Sequence, residues 1–289
     1  MESLYRSSNE AQVALCRSVL SSGLNAAPRG LNTKEVLGAS FVITHPRNRL
    51  TTIPGRKWNA SLAVAELAWN LRGEQAVNPL AFYVPRWREF ADEDGRLRGS
   101  CYGASIFCAT SGSSSQWEQV RTLLKNDPDS RRAVISLRRE SDVSASTKDL
   151  SCTNTVQFIA RRGRLHAFIN MRSNDAIWGV PYDIFLFSTF HEMMALQLGL
   201  DLGDYHHYAA SLHIYERHFK LATMIADVET ARLDDGKMPA IQSVQSLFEL
   251  AKTETAIRSG KVRASELHAR TPYEKICLEL LGKSSALAA

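Results

Sequence analysis

The stretch DIFLFSTFHEMMALQLGL, residues 183–200, constrains this chain more than any other. Read as a helix it is apolar almost all round, and such a helix is stable only when other elements enclose it. It predicts a buried helix in the middle of a domain, opening near Asp183 as N-cap and stopping near Gly199. Enclosing it needs a core, which a hydrophobic content of 44% can supply; 22% charged residues is ordinary for a surface in water. Nowhere does an apolar run reach the length of roughly eighteen residues that a membrane span requires.

The neighbouring patterns agree with a mixed fold. In 56–74, Leu62, Ala65, Leu67, Ala68 and Leu71 recur at helical spacing and Gly73 closes the run. Two strands follow Cys152, TVQFIA and RLHAFINMR, joined by a tight turn at Arg162-Gly163. In the second, Arg164, His166, Phe168, Asn170 and Arg172 share one face, while Leu165, Ala167, Ile169 and Met171 share the other. A short strand, SLHIY, precedes a charged segment, and the tail beyond 230 reads as helical, most clearly in VQSLFELAKTETAIRSGK. No repeat or low-complexity linker divides the chain, so the expectation is one α+β domain over 1–289.

Composition excludes several classes. The polar N-terminus with Glu2 is not a signal peptide, which points to the cytoplasm. Five cysteines, with no CxxC pair, argue against a disulfide framework or a zinc site, and no metal is expected. A formal charge of +5 without any nucleic-acid-binding motif suits a small phosphorylated ligand at scattered arginines better than DNA or RNA.

The chemistry gathers in MRSNDAIWGVPYDIFLF, where Arg172, Ser173, Asp175 and Asp183 fall within a dozen positions. Cys152 stands twenty residues before Arg172, and His213 and Tyr215 follow in SLHIYERH. Singly, each has an ordinary reading: a packed thiol, a solvated arginine, a core histidine. Jointly they offer a nucleophile, a cation for an anion, and two carboxylates.

In order and spacing over roughly 56–220, six segments resemble the thymidylate synthase family. They are AELAWNLRGE (65–74), WREFADEDGRLRGSCYG (87–103), DSRRAVISL (129–137), CTNTVQF (152–158), RSNDAIWGVPYD (172–183) and LGLDLGDYHHYAASLHIYERH (198–218). The resemblance implies a thymidylate synthase-like α+β fold and a homodimer acting on a pyrimidine nucleoside monophosphate with 5,10-methylenetetrahydrofolate. By the same resemblance Cys152 is the nucleophile that adds to pyrimidine C6. Arg172 and Ser173 bind the phosphate, joined by Arg131 and Arg132 from the partner subunit. Arg29 matches a mobile phosphate-binding arginine, although the spacing after it shifts by one. His213 and Tyr215 hold the sugar hydroxyl, and Gln157 belongs with the substrate-binding residues. Glu66 is the proton-relay carboxylate, Asp175 holds the folate pterin, and Trp87 and Tyr102 take cofactor-side and nucleophile-side positions. Guanidinium forks suit a dianionic phosphate, and cations near a cysteine favour its thiolate.

This sequence departs from the family's pattern in several places. Thymidylate synthases carry an asparagine where Asp183 stands; its amide accepts from uracil N3–H and donates to O4. Cytosine reverses that edge, and a carboxylate can accept from its amino group and from a protonated N3. Thr153 replaces a histidine of the network around uracil O4. The C-terminal stretch HARTPYEKICLELLGKSSALAA bears no likeness to the segment that closes over the site and excludes water. Water could then capture the methylene on C5 as hydroxymethyl. These departures imply a cytidylate 5-hydroxymethylase. Ser173 favours dCMP, whereas Ser211, standing where the family has an aspartate, leaves CMP open, as in hydroxymethylases of nucleoside-antibiotic biosynthesis. Rival readings are a thymidylate synthase, a cytidylate C5-methylase, a silent nucleotide- or RNA-binding relative, and a hydrolase pairing Cys152 with His213.

Overall fold

The computed structural model describes residues 3–109, 112–138, 142 and 146–285. In chain order the first half holds β1 (Ser3–Tyr5), α1 (Ser8–Ser22), β2 (Leu24–Ala26), β3 (Thr33–Ile43), α2 (Ala60–Arg72) and α3 (Asn78–Tyr83). Next come α4 (Tyr102–Phe107), α5 (Gln116–Asn126), β4 (Val134–Ser136), β5 (Thr153–Arg161), β6 (Arg164–Met171) and β7 (Asn174–Asp175). The remainder is α6 (Val180–Leu198), β8 (Asp201–Tyr215), α7 (Phe219–Ala226), α8 (Val244–Arg258) and α9 (Pro272–Ser285). The α+β class expected from the sequence is what forms. The chain folds as two compact units, one made of 1–58, 152–192 and 201–238, the other of 59–151, 193–200 and 239–289.

The first unit is built on a sheet that runs β1-β3-β8-β6-β5, with β2 on β3 and β7 on β8. β3 and β8 are antiparallel from Thr33↔Tyr215 to Ile43↔Tyr205, and β8 then runs parallel to β6. β5 and β6 form the expected hairpin, closed at Arg161↔Arg164 with Arg162 at φ 52 and Gly163 at φ 75. Alternation is clean in β6: Leu165, Ala167, Ile169 and Met171 are buried and the intervening residues are not. The strand expected at SLHIY is the last third of β8, a strand of 15 residues. Buried Tyr205 and His207 occupy inward positions there, so polar residue types mask a regular alternation.

α6 is buried as its sequence demands. His191 donates through Nε2 to the carbonyl of Leu165 at 2.7 Å, which seats the helix on β6. Burial pushes that imidazole down to about 3, so it is neutral there. Glu192 is buried as well and is bound by Arg49 and, at 2.6 Å, by Arg47. The helix opens earlier than expected, at Val180, and Asp183 is a first-turn residue rather than the N-cap. Its N–H already donates to Gly179 O at 2.9 Å, and Pro181 fits the first turn, where no amide donor is needed. Glycine lets the chain pass at 179 without displacing Asn174, whose Oδ1 would lie 2.1 Å from a Cβ there.

The second unit is helical around α2. Asn59 caps it by accepting from Leu62 N at 3.0 Å, and Gly73 ends it in the left-handed region at φ 62. α2 packs against α3, α4, α8 and α9. Its Arg72 reaches Glu254 on α8 at 2.9 Å, and that fully buried carboxylate also binds Arg258 and the Tyr83 hydroxyl. Among the described residues no helix is long and apolar enough to cross a membrane.

Candidate active site

Cys152 immediately precedes β5, and the register of β5 with β6 slips between Thr153 and Thr155. Such an irregularity at a strand end re-aims the side chains beside it. The Cys152 carbonyl accepts from Arg172 N at 2.9 Å, which ties the two residues together through the backbone. Arg172 then turns its guanidinium back, with Nη2 3.7 Å from the Cys152 sulfur. Cys152 is half-buried. Cys16 and Cys101 are instead enclosed, and burial pushes each thiol up to about 12, which leaves them inert.

Past Arg172 the chain pairs with β8 through β7, matching Asp175 to His213. The pairing brings Ser173 Oγ within 3.5 Å of His213 Nδ1. His213 and Tyr215 share the same face of β8, their rings edge-on at 5.1 Å. Burial lowers the His213 pKa against the opposing charges of Asp175 and Glu35, so the neutral ring dominates near neutral pH. One carboxylate oxygen of Asp175 accepts from Ile177 N at 2.7 Å and Trp178 N at 3.3 Å, pinning the loop that leads into α6. Asp183 is half-buried one turn into the helix. Its charge is felt by the enclosed Tyr205 hydroxyl, whose pKa is raised first by burial and then by Asp183.

Cys152, Arg172, Ser173, Asp175, His213 and Tyr215 thus belong to one cluster in the first unit. Gln157 does not join it: on the sheet face opposite Val156 and Phe158, it lines a separate cavity of about 240 Å³ with Ser40, Phe168, Asn170 and Tyr208. Arg29 is exposed at φ 53 in a short turn over Pro28–Gly30. In the second unit, Glu66 sits on α2, where burial pushes its carboxyl up to about 7. Tyr102 is buried at the start of α4. Trp87 is half-buried against Phe90, ring centroids 6.0 Å apart. Arg131 and Arg132 are exposed before β4.

Two polar residues that the sequence reading did not single out as ligands also meet the cluster. Ser211 donates its hydroxyl to Glu35 on β3 at 2.5 Å, and Glu35 is the register partner of His213. Elsewhere on the sheet, His166, Asp204 and His206 lie close enough to share a metal ion. There Asp204 N donates to His166 Nδ1 at 3.0 Å and Arg164 pairs with the Asp204 carboxylate, so two of the three groups already have protein partners.

Residues 11–259 match the family model described as thymidylate synthase. The chain is also similar to a deoxyuridylate hydroxymethyltransferase of Bacillus phage SP01, 30% identical over 245 residues. The match covers 80% of this chain and spans 64% of that relative's length.

Proposed function

The chain belongs to the thymidylate synthase family, and from that premise we propose that it is a folate-dependent one-carbon transferase. Its substrate is a cytidylate, with dCMP ranked ahead of CMP on Ser173, and its product is the 5-hydroxymethylcytidylate. The observation that carries the reading is the guanidinium of Arg172 against the Cys152 sulfur, in a cluster that also holds Ser173 and His213. A cation within reach of a thiol favours the thiolate, and the thiolate is the nucleophile.

In the proposed reaction the Cys152 sulfur bonds to C6 and makes C5 nucleophilic. 5,10-Methylenetetrahydrofolate, as co-substrate, supplies the one-carbon unit that C5 takes up. Glu66, acting through water, accepts the C5 proton as tetrahydrofolate departs; a carboxyl raised to about 7 is matched to that task. Water adds to the exocyclic methylene, and the sulfur leaves C6. Arg172 and Ser173 bind the phosphate with Arg131, Arg132 and Arg29, Asp175 and Trp87 serve the folate side, and Tyr102 supports the nucleophile. Gln157 keeps its assignment to the substrate only through the family pattern, being on the other sheet face. The arginines from two chains make the working form a homodimer. The family match covers residues of both compact units, which supports reading 1–289 as one functional domain.

Asp183 carries the choice of base. Facing cytosine it accepts from the amino group; facing uracil O4 it opposes acceptor to acceptor, a mismatch of about 1–3 kcal/mol. A second reading keeps hydroxymethyl transfer but takes deoxyuridylate, on the strength of the phage relative's activity. Incubation with methylenetetrahydrofolate and dCMP, CMP or dUMP separately, with products identified by mass, decides between them. The cytidylate reading requires a hydroxymethylated dCMP or CMP to form faster than any dUMP product; methylated product with dihydrofolate release would instead indicate a synthase or methylase.

A further inference from the structure

A carboxylate outside every motif lies beside the residues assigned to the sugar. Glu35 on β3 is the register partner of His213 on β8, and directly opposed residues of an antiparallel pair hold their β-carbons about 5 Å apart. Ser211, two residues before His213 and on the same face, donates to Glu35 Oε2 at 2.5 Å. Glu35 is half-buried, and among the described residues no lysine or arginine is within ion-pair distance of it. A carboxylate with a hydroxyl steadying one oxygen keeps lone pairs with which to accept from a further donor. Ser211 itself stands where the family pattern has an aspartate. β3 thus presents a carboxylate directly across from His213.

We propose that Glu35, steadied by Ser211, accepts a hydrogen bond from a furanose hydroxyl of the bound nucleotide and is a substrate-binding residue of this site. The inference rests on the nucleotide reading given above. It is independent of which base the site takes. A neutral hydroxyl donating to a carboxylate makes a charge-assisted bond, stronger than a bond between neutral groups. His213 and Tyr215 complete the sugar contact from the same strand face, and Ser211 is a positioning residue that acts through Glu35.

The test is a binding cycle by calorimetry without folate, using dCMP and its 2′,3′-dideoxy analogue on the wild type and on Glu35→Ala. The wild type should bind the dideoxy analogue at least about tenfold more weakly. In Glu35→Ala that ratio should fall at least about threefold, the remainder being the contacts of His213 and Tyr215. Ser211→Ala should reduce the discrimination partway. A ratio undiminished in Glu35→Ala, or one absent from the wild type, overturns the proposal and leaves Glu35–Ser211 a cross-strand structural pair. Glu35→Gln, nearly isosteric, takes the place of the alanine variant if thermal melting shows the latter unfolded, and should shrink the ratio in the same direction. Repeating the cycle with dUMP and its dideoxy analogue separates this idea from its parent. The same collapse in the uridylate series alone keeps Glu35 and rejects the cytosine reading, whereas no binding in either series rejects both.

Discussion

The side chain at position 183 makes the sharpest claim at the scale of single residues. Asp183→Asn replaces an acceptor-only carboxylate by an amide that can also donate, so preference should move from cytidylate toward uridylate by about 10–100-fold. Ratios of kcat/KM for dCMP and dUMP measure it, and an unchanged ratio removes the cytosine assignment. Cys152→Ala should abolish tritium release from C5-labelled nucleotide; retained release would mean that C5 is activated without sulfur addition. Glu66 offers a pH test. Its folded pKa of about 7 lies above the ordinary carboxylate value because burial disfavours the charge. The protonated form is therefore the one the fold favours, and that contribution is complete below the unfolded value and lost as pH rises through about 7. Glu66→Gln cannot ionise, so its melting temperature should gain on the wild type from pH 5 to pH 8. A constant gap would mean that the carboxyl is solvated and unperturbed.

Elements explain why the residues of the Cys152–His213 cluster meet. β6 and β8 run close together at Gly203, where a Cβ would lie 2.2 Å from the Leu165 carbonyl oxygen. Gly203→Ala must push two backbones apart at the place where their register is irregular, between Leu165 and Ala167. The expected cost is about 1–3 kcal/mol in urea unfolding, as for other overpacked sites. The same parallel pairing carries β7 to His213, so lost activity in that variant should accompany the lost stability. Helix α6 shows how a pattern can be right in kind and displaced at its edge. Its apolar surround is plain in the string of residues, whereas its start depends on Gly179 passing close to Asn174, a contact made by folding.

For the whole molecule, the proposed homodimer places Arg131 and Arg132 at the partner's phosphate. A chain carrying Cys152→Ala and a chain carrying Arg131→Ala with Arg132→Ala should each be nearly inactive. Mixed under conditions that allow exchange, they should form hybrids in which one site has its sulfur from one chain and both arginines from the other. Activity that reappears on mixing supports shared sites; silence in a mixture proven to contain hybrids argues that each chain serves itself.

What could be read from the string of residues was local or motif-borne. The burial of α6, the β5–β6 hairpin, the alternation in β6 and the α+β class all follow from periods of two and 3.6 residues, which neighbours in sequence enforce. Cys152, Arg172, Ser173, His213 and Tyr215 were legible because they lie in short segments whose order resembles a known family. Folding alone decided the rest. Glu35 meets His213 only through the register of strands far apart in the chain. Gln157 falls on the other face because side chains alternate across a strand. Glu66 acquires its raised pKa from burial, which the helical pattern around it does not by itself specify. Register and enclosure are properties of non-local pairing, and a linear pattern constrains them only after the sheet has closed.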